Sequence, residues 1–195
     1  KLCKDRDLEL ITRVDLAPRT SKELLRKLRR LRRKFEVVAV VCDSKSVARQ
    51  AAKDRRVDLL SFPPRKAHNR FFDRAEAELA SNALSCLEID MAPVLYLKEF
   101  PRIRLLSNLR TETAIAKKFN VPIVISSGAT NEHLMRNGHD YAALATLFEI
   151  SISTGLRSLS EIPGSIVERN RKKLCSKYVA PGIQVIKEGE DCPDK

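Results

Sequence analysis

Short, continuous runs of β-branched residues, separated by amphipathic helical patterns, constrain this chain more than any other feature. Val37-Val38-Ala39-Val40-Val41-Cys42 places no polar residue on either face, as a strand buried on both sides of a parallel sheet requires. Val121 to Ile125 is a second such run, and Leu8 to Val14, Val57 to Leu60 and Cys86 to Ile89 are further strand candidates. Between the first two strands Leu24, Leu28, Leu31 and Phe35 recur at spacings of four, three and four, which predicts a helix from Lys22 to Lys34. Thr20 or Ser21 is suited to cap it, and Asp43 or Ser44 to cap the next, which runs to Asp54. Helices are also expected over Phe71 to Ala83, Ile103 to Phe119, Tyr141 to Phe148 and Ser165 to Cys175. Pro93 and Pro101 read as breaks and Glu149 to Ser153 as a short strand. Each strand–helix unit takes roughly 25 to 30 residues, the scale of a parallel crossover. Five or six such units argue a parallel sheet wrapped by helices. An open nucleotide-binding sheet would carry GxGxxG or GxxxxGK[ST], and neither occurs among the six glycines. The expected architecture is therefore an α/β barrel.

Composition excludes several other classes. At 43% apolar and 32% charged residues over 195 positions, the chain can bury a core and is not disordered. The Val37–Cys42 run is far too short to span a bilayer, and no basic-then-apolar leader is visible. Five cysteines form no CxxC pair, and Cys42 and Cys86 lie inside apolar runs, as reduced cysteines do. We expect a cytoplasmic protein with no membrane partner. Residues 1–186 would form a single α/β domain. Residues 187–195, with Glu188, Glu190, Asp191 and Asp194, would form an acidic flexible tail. The sequence opens on Lys1, which leads us to expect a longer natural N-terminus.

The formal charge of +12 points to a polyanionic partner, and its distribution sharpens that reading. From Arg19 to Lys34 there are nine basic residues and one acid, Glu23. Lys22 and Arg26, Arg26 and Arg30, Arg29 and Arg33, and Arg30 and Lys34 are like charges four apart. Each such pair costs a helix roughly 0.2–0.5 kcal/mol, which phosphate neutralisation would offset. A merely solvated outer helix face is the alternative. Other basic groups recur at Arg55-Arg56, Arg65-Lys66, Arg70 and Arg74, Arg102 to Arg110, and Arg169 to Lys177. Aromatics are 5% of residues, with no Trp, so structured RNA or duplex backbone fits better than stacking on unpaired bases.

No catalytic set is visible. Asp15, Asp43 and Asp90 fall at strand ends, where barrel enzymes place their chemistry, and could share a magnesium ion. A helix cap for Asp43 and a turn for Asp15 are the simpler readings. His68, His133 and His139 show no zinc-ligand spacing. His139 reads as a surface residue, and His68 sits in the basic Arg65 to Arg70 loop. Phe71-Phe72 is an exposed-looking pair, of which at least one ring is expected in the core.

Several stretches resemble the RNase P thirty-kilodalton subunit family, whose archaeal members are RNase P protein component 3. They are Leu87-Glu88-Ile89-Asp90-Met91-Ala92-Pro93-Val94-Leu95 and Val121-Pro122-Ile123-Val124-Ile125-Ser126-Ser127-Gly128-Ala129. Arg136, Asp140-Tyr141-Ala142-Ala143-Leu144 and Arg55-Arg56-Val57-Asp58-Leu59-Leu60-Ser61-Phe62-Pro63 follow the same family pattern. The likeness runs from Leu10 to Leu174. It implies a TIM-like barrel related to the polymerase-and-histidinol-phosphatase (PHP) superfamily but without its metal ligands, lacking here its first βα unit. It implies a protein subunit of the ribonuclease P ribonucleoprotein, which removes the 5′ leader from precursor tRNA. Catalysis would come from the RNA subunit and not from this chain, with magnesium acting through that RNA and no cofactor held by the chain itself. Its partners would be the RNase P RNA, protein component 2 in a heterotetramer, other RNase P proteins and, indirectly, precursor tRNA. Carried over by position, the RNA-binding residues are Arg65, Arg110, Arg136 and Arg157, with Lys66 and His68 beside them. Arg26, Arg29, Arg30, Arg33, Arg171 and Lys172 are additional candidate contacts. The sequence departs from the family at Gly138-His139-Asp140, where Pro-Arg-Asp is common, and at Ala92-Pro93, where relatives carry Arg-Pro. Each change removes a cation, so contacts there would shift to Arg136 or the C-terminal cluster. A metal-dependent phosphoesterase using Asp15, Asp43 and Asp90, and a basic scaffold for an acidic protein partner, stay open as alternatives.

Overall fold

The computed structural model describes residues 3–6, 8–63, 72–180 and 183–185. Five strands, β1 (Arg13–Leu16), β2 (Val37–Val41), β3 (Leu59–Ser61), β4 (Cys86–Asp90) and β5 (Ile123–Ser126), form one sheet. Neighbours pair in parallel and in sequence order, β1-β2-β3-β4-β5. This is the order produced when every crossover takes the same hand and direction, as in a barrel. Among the described residues nothing pairs β5 with β1, so the sheet is an open arc with the barrel's strand order.

The helices are α1 (Ser21–Leu31), α2 (Lys45–Ala52), α3 (Arg74–Ala83), α4 (Ala92–Tyr96), α5 (Glu99–Lys118), α6 (Gly138–Ala145), α7 (Ile152–Leu159) and α8 (Glu161–Leu174). A short antiparallel hairpin, β6 (Tyr178–Ala180) and β7 (Ile183–Gln184), follows. Each early helix begins where a side-chain oxygen satisfies an orphan amide. Thr20 accepts from Glu23 N–H at 3.2 Å while the Glu23 carboxylate accepts from Arg19 N–H at 2.8 Å. Ser44, not Asp43, caps α2 by accepting from Val47 N–H, and Asp73 caps α3 by accepting from Glu76 N–H.

Strand alternation sorts the core into two layers. Val38, Val40, Leu60, Leu87, Ile89, Ile123 and Ile125 face the crossover helices, under Leu24, Leu28, Val47, Ala77 and Leu109. Val37, Ala39, Leu59, Cys86 and Val124 line the inner face, where α8 supplies Ile162, Ile166 and Val167. The strands read as apolar throughout because α8 covers a face that would otherwise meet solvent.

Several expectations are corrected. Glu149 to Ser153 is not a strand. Glu149 adopts a left-handed backbone (φ 65°) after a 3₁₀ turn, and Ser151 accepts from Thr154 N–H to start α7. The Ile150/Ile152 alternation imitates a strand, but Ile150 is buried and Ile152 exposed. Pro93 and Pro101 do not break the chain; like Pro163 at the start of α8, they lie in the first turns of their helices, α4 and α5, where a missing N–H costs nothing. The first strand begins at Arg13, and Leu8, Leu10 and Ile11 are exposed. Helix α7 was not anticipated because Gly155 reads as a breaker. A Cβ there would lie 3.1 Å from the Ala142 backbone, so this glycine lets α6 and α7 close on each other. Phe72 is in the core, its ring 5.9 Å from that of Phe62. Phe71 and the proposed acidic tail, 187–195, lie outside the described residues.

One core carboxyl is poorly matched to its site. Glu76 of α3 is fully buried, 3.5 Å from Arg49 Nε, while Arg49 Nη2 is engaged by Asp73 at 2.6 and 2.7 Å. Burial pushes Glu76 up to about 8, with Arg49 opposing the shift and Asp73 adding to it. The folded chain thus keeps a proton that the unfolded chain releases near 4.5, so this group's contribution to stability falls as pH rises from about 4.5 to about 8. Glu76→Gln, neutral at every pH, is expected to match the wild type in urea unfolding at pH 5 and to exceed it at pH 9. Parallel stability profiles for the two proteins would contradict this assignment.

Candidate nucleic-acid interface

Helix α1 carries its cations toward the amino ends of β2 and β3, because a crossover helix runs antiparallel to the strands it joins. Two other segments arrive at the same end: the Asp54–Val57 connection before β3, and the carboxyl end of α8. Between them lies a groove of about 680 Å³ lined by Arg29, Arg32, Arg33, Arg55, Arg56 and Lys173. The arginines are not equally free. Arg56 is held by Asp54, with Nε to Oδ1 at 2.9 Å and Nη2 to Oδ2 at 2.7 Å. Arg32 lies 3.4 Å from the buried Asp58 carboxylate and donates to the Phe35 carbonyl at 3.2 Å. Arg169 of α8 donates to the other Asp58 oxygen at 3.1 Å. Among the described residues Arg29, Arg33, Arg55 and Lys173 have no carboxylate within ion-pair distance. Burial, with Arg169, Arg32 and Arg55 nearby, holds the Lys173 ammonium below its ordinary value despite Asp58.

The residues proposed from sequence fall in different places. Arg29 and Arg33 line this groove. Arg26 borders a shallower depression beside Lys22 and Arg29, and Arg30 is exposed on the same helix. Arg171 serves the fold: it donates to Glu36 Oε1 at 2.5 Å and also pairs with Glu9, fastening α8 to the segment before β2. Lys172 is exposed. Arg110 and Arg136 have Leu147 as a common neighbour: Arg110 Nε donates to the Leu147 carbonyl at 2.8 Å, and Arg136 lines a surface groove with Leu147 and Asp140. Arg136 is oriented by the His133 and Met135 carbonyls, at 2.8 and 2.7 Å. Arg157, on α7, pairs with Glu161 at 2.7 Å. His133 and His139 are exposed. Arg65, Lys66 and His68 lie outside the described residues. Sequence reading passed over Arg32, Arg55, Arg56 and Lys173 as site residues, although the Arg55-Arg56 pair had been noted as basic.

The Asp15, Asp43 and Asp90 alternative is not assembled. Asp43 is exposed beyond β2. On the inner face an arginine stands among the carboxylates: Arg13 of β1 donates to both Glu88 oxygens on β4, at 2.5 and 2.9 Å, and to Asp15 at 2.9 Å. Asp90 accepts from Ser126 Oγ, and Gly128 (φ 56°) packs so closely on Asp90 that a Cβ would lie 2.9 Å from its own. Among the described residues no group of three or more His, Cys, Asp and Glu side chains is placed to hold a metal ion. Glu88 is buried and its proton affinity raised by burial against the pull of Arg13. Arg13→Met leaves that carboxylate uncompensated and is expected to destabilise the chain by about 3 kcal/mol at pH 8, less at pH 5 where Glu88 can be protonated. Chemical denaturation at the two pH values measures both the loss and its sign.

Known proteins supply the remaining comparison. The family model for RNase P subunit p30 matches residues 1–174. Ribonuclease P protein component 3 of Methanosarcina mazei is 30% identical over 186 residues, covering 94% of this chain and 75% of that protein. The same component from Methanosarcina barkeri is 28% identical over 184 residues, covering 94% and 76%. That of Methanocaldococcus jannaschii is 28% identical over 185 residues, covering 94% and 78%. A chain in a cryo-EM structure of archaeal ribonuclease P with mature tRNA superposes with a TM-score of 0.85 at 27% identity, over 97% of this chain and 81% of that one. No helix among the described residues is long and apolar enough to cross a membrane. Strand order, inner-face arginine and basic surfaces thus occur in a chain that belongs to the RNase P subunit p30 family.

Proposed function

We propose that this chain acts as a protein subunit of an archaeal-type RNase P ribonucleoprotein, binding and supporting the catalytic RNA during removal of the 5′ leader from precursor tRNA. The observation that carries this reading is the superposition of nearly the whole fold on a chain from archaeal ribonuclease P with tRNA. Cation distribution supports it: Arg136 lines a groove whose Leu147 also accepts from Arg110, and guanidinium groups bridge phosphates in two-pronged fashion without reading sequence. Arg65, Lys66, His68 and Arg157 are assigned to the same RNA on the family likeness. Chemistry belongs to the RNA with its magnesium, which protein cations favour by screening phosphate repulsion. Protein component 2, as a heterotetramer with this chain, is the proposed protein partner beside other RNase P proteins, and precursor tRNA is met indirectly. The cytoplasm is the compartment in which such a particle would work.

Reconstitution tests the proposal. The chain, component 2 and the RNase P RNA are mixed at low magnesium, and 5′-leader removal is followed. The rate is expected to rise only when RNA and both proteins are present. The chain's own RNA affinity should fall steeply with salt, the logarithm dropping about 0.7–0.9 for each phosphate neutralised. An RNA reaction indifferent to the chain, or phosphoester cleavage by the chain alone, would refute the proposal.

A further inference from the structure

We infer that the groove at the amino ends of β2 and β3 is a docking site for an RNA sugar–phosphate backbone, separate from the surface formed by Arg110 and Arg136. The inference rests on the reading that this chain works inside an RNA-containing particle. It begins from topology. Arg32 and Arg33 precede β2, and Arg55 and Arg56 precede β3, whereas Arg136 follows β5. The chain therefore presents cations at both ends of one sheet, so one molecule can hold two segments of a folded RNA.

Three features make the amino-end groove an anion site and not a solvated basic surface. First, its cations come from three separate segments, and of the six only Arg32 and Arg56 meet a carboxylate among the described residues. Asp54 is engaged by Arg56 and Asp58 by Arg32 and Arg169. Helix carboxyl ends do favour cations, by about 0.3–1 kcal/mol within the last turn. That accounts for one or two charges on α1 and α8, but not for Arg55, which lies on neither. Second, Arg32 and Arg56 are preoriented by their carboxylates, so less side-chain freedom is lost when a phosphate arrives. Third, Lys173 is held below its ordinary affinity for a proton by burial and neighbouring guanidiniums, the condition that an incoming phosphate reverses. The lining decides which anion. A groove of about 680 Å³ exceeds what one phosphate fills, and Tyr178 is the only aromatic ring among the described residues that line it. A base could not be sandwiched between two rings there, and among the hydrogen-bonding side chains of that lining the cations far outnumber Ser176 and Tyr178, with no Asn, Gln, Asp or Glu to tell one base edge from another. Backbone recognition of structured RNA is what such a lining can perform.

The test compares two doubly charge-reversed chains with the same net charge. Arg33→Glu with Arg55→Glu alters the groove; Arg74→Glu with Lys98→Glu alters exposed cations elsewhere. Affinity for the RNase P RNA is measured against salt concentration. The groove variant is expected to bind tenfold or more weakly near 0.1 M salt, with a salt slope shallower by about one to two phosphates. The control should stay within about threefold of wild type, because its reversed residues neutralise no phosphate, whereas an effect of net charge alone would weaken the two variants equally. An independent readout needs no mutation: acylation of Lys173 should be suppressed by RNA while that of Lys98 is not. Equal affinity and slope in the two variants, or Lys173 labelling unaffected by RNA, would overturn the groove assignment while wild-type binding and leader removal still upheld the RNase P reading. Unchanged RNA affinity with lost association to component 2 would overturn it in favour of an acidic protein surface. Failure of the wild-type chain to bind RNA at all would instead remove the reading beneath it.

Discussion

Through its carboxylate Asp58 ties together strand β2, the end of α1 and helix α8. It is 1% exposed, immediately before β3, and one carboxylate oxygen accepts from Val38 N–H at 2.9 Å. Its backbone N–H bonds the Val38 carbonyl, and its own carbonyl accepts from Cys86 N–H. A carboxylate this deep costs several kcal/mol unless its charge is compensated, and the compensation comes from Arg169 on α8 and Arg32 beyond α1. That requirement draws α8 across the inner face of the sheet, where Ile162, Ile166 and Val167 then exclude water. It also brings the carboxyl ends of α1 and α8 together. The basic groove is thus a by-product of closing the core: Arg32, anchored on the buried Asp58, is part of its lining, and the rest is what the two helices and the residues before β3 carry beside it.

The parts of this architecture that were legible in sequence share a local cause. Strands β2 and β5 announce themselves because burial on both faces demands unbroken apolar runs, and α1 because Leu24 and Leu28 must share a face. What could not be read is non-local. From Ile152 to Leu159 a Ser151 cap and the spacing of Ile152, Leu156 and Leu159 are helical, but Gly155 breaks the pattern until Ala142 is seen against it. The α8 boundary was set too late because Pro163 looked like a preface and not a first turn. The same limit governs the site. The cationic run on α1 is plain in sequence, but Arg171 resembles Arg33 as a residue and differs only in having Glu36 within reach, 135 positions away in the chain. Arg13 likewise looked unremarkable beside three aspartates. Its contact with Glu88, across two intervening strands, decides that the inner face carries an ion pair.

A formal charge of +12 therefore understates how unevenly the cations are used. Arg13, Arg49, Arg56, Arg169 and Arg171 each face a carboxylate and contribute to the fold. On α1 the only ion pair among the described residues that relieves like-charge crowding is Lys27 with Glu23 at 2.7 Å. Arg13 is engaged on the inner face, Arg169 and Arg171 fasten α8, Arg49 joins α2 to α3 and Arg56 is held by Asp54, while the uncompensated cations gather at the amino edge of the sheet and along α1. Selection for solubility alone has no need of this segregation, since interspersed glutamates would lower the repulsion without loss of charge.

Segregation also links stability to occupancy. Each like-charge pair four apart on α1 opposes the folded helix by roughly 0.2–0.5 kcal/mol. The unfolded chain, more extended, is relieved of much of that repulsion. A phosphate backbone in the amino-end groove binds the folded arrangement and not the dispersed one, so it stabilises the fold by mass action as well as by contact. The same cations that weaken the isolated chain then strengthen the assembled one. A subunit built this way is most stable where its RNA is, and the cost of crowding charge at the edge of the sheet becomes a preference for the bound state.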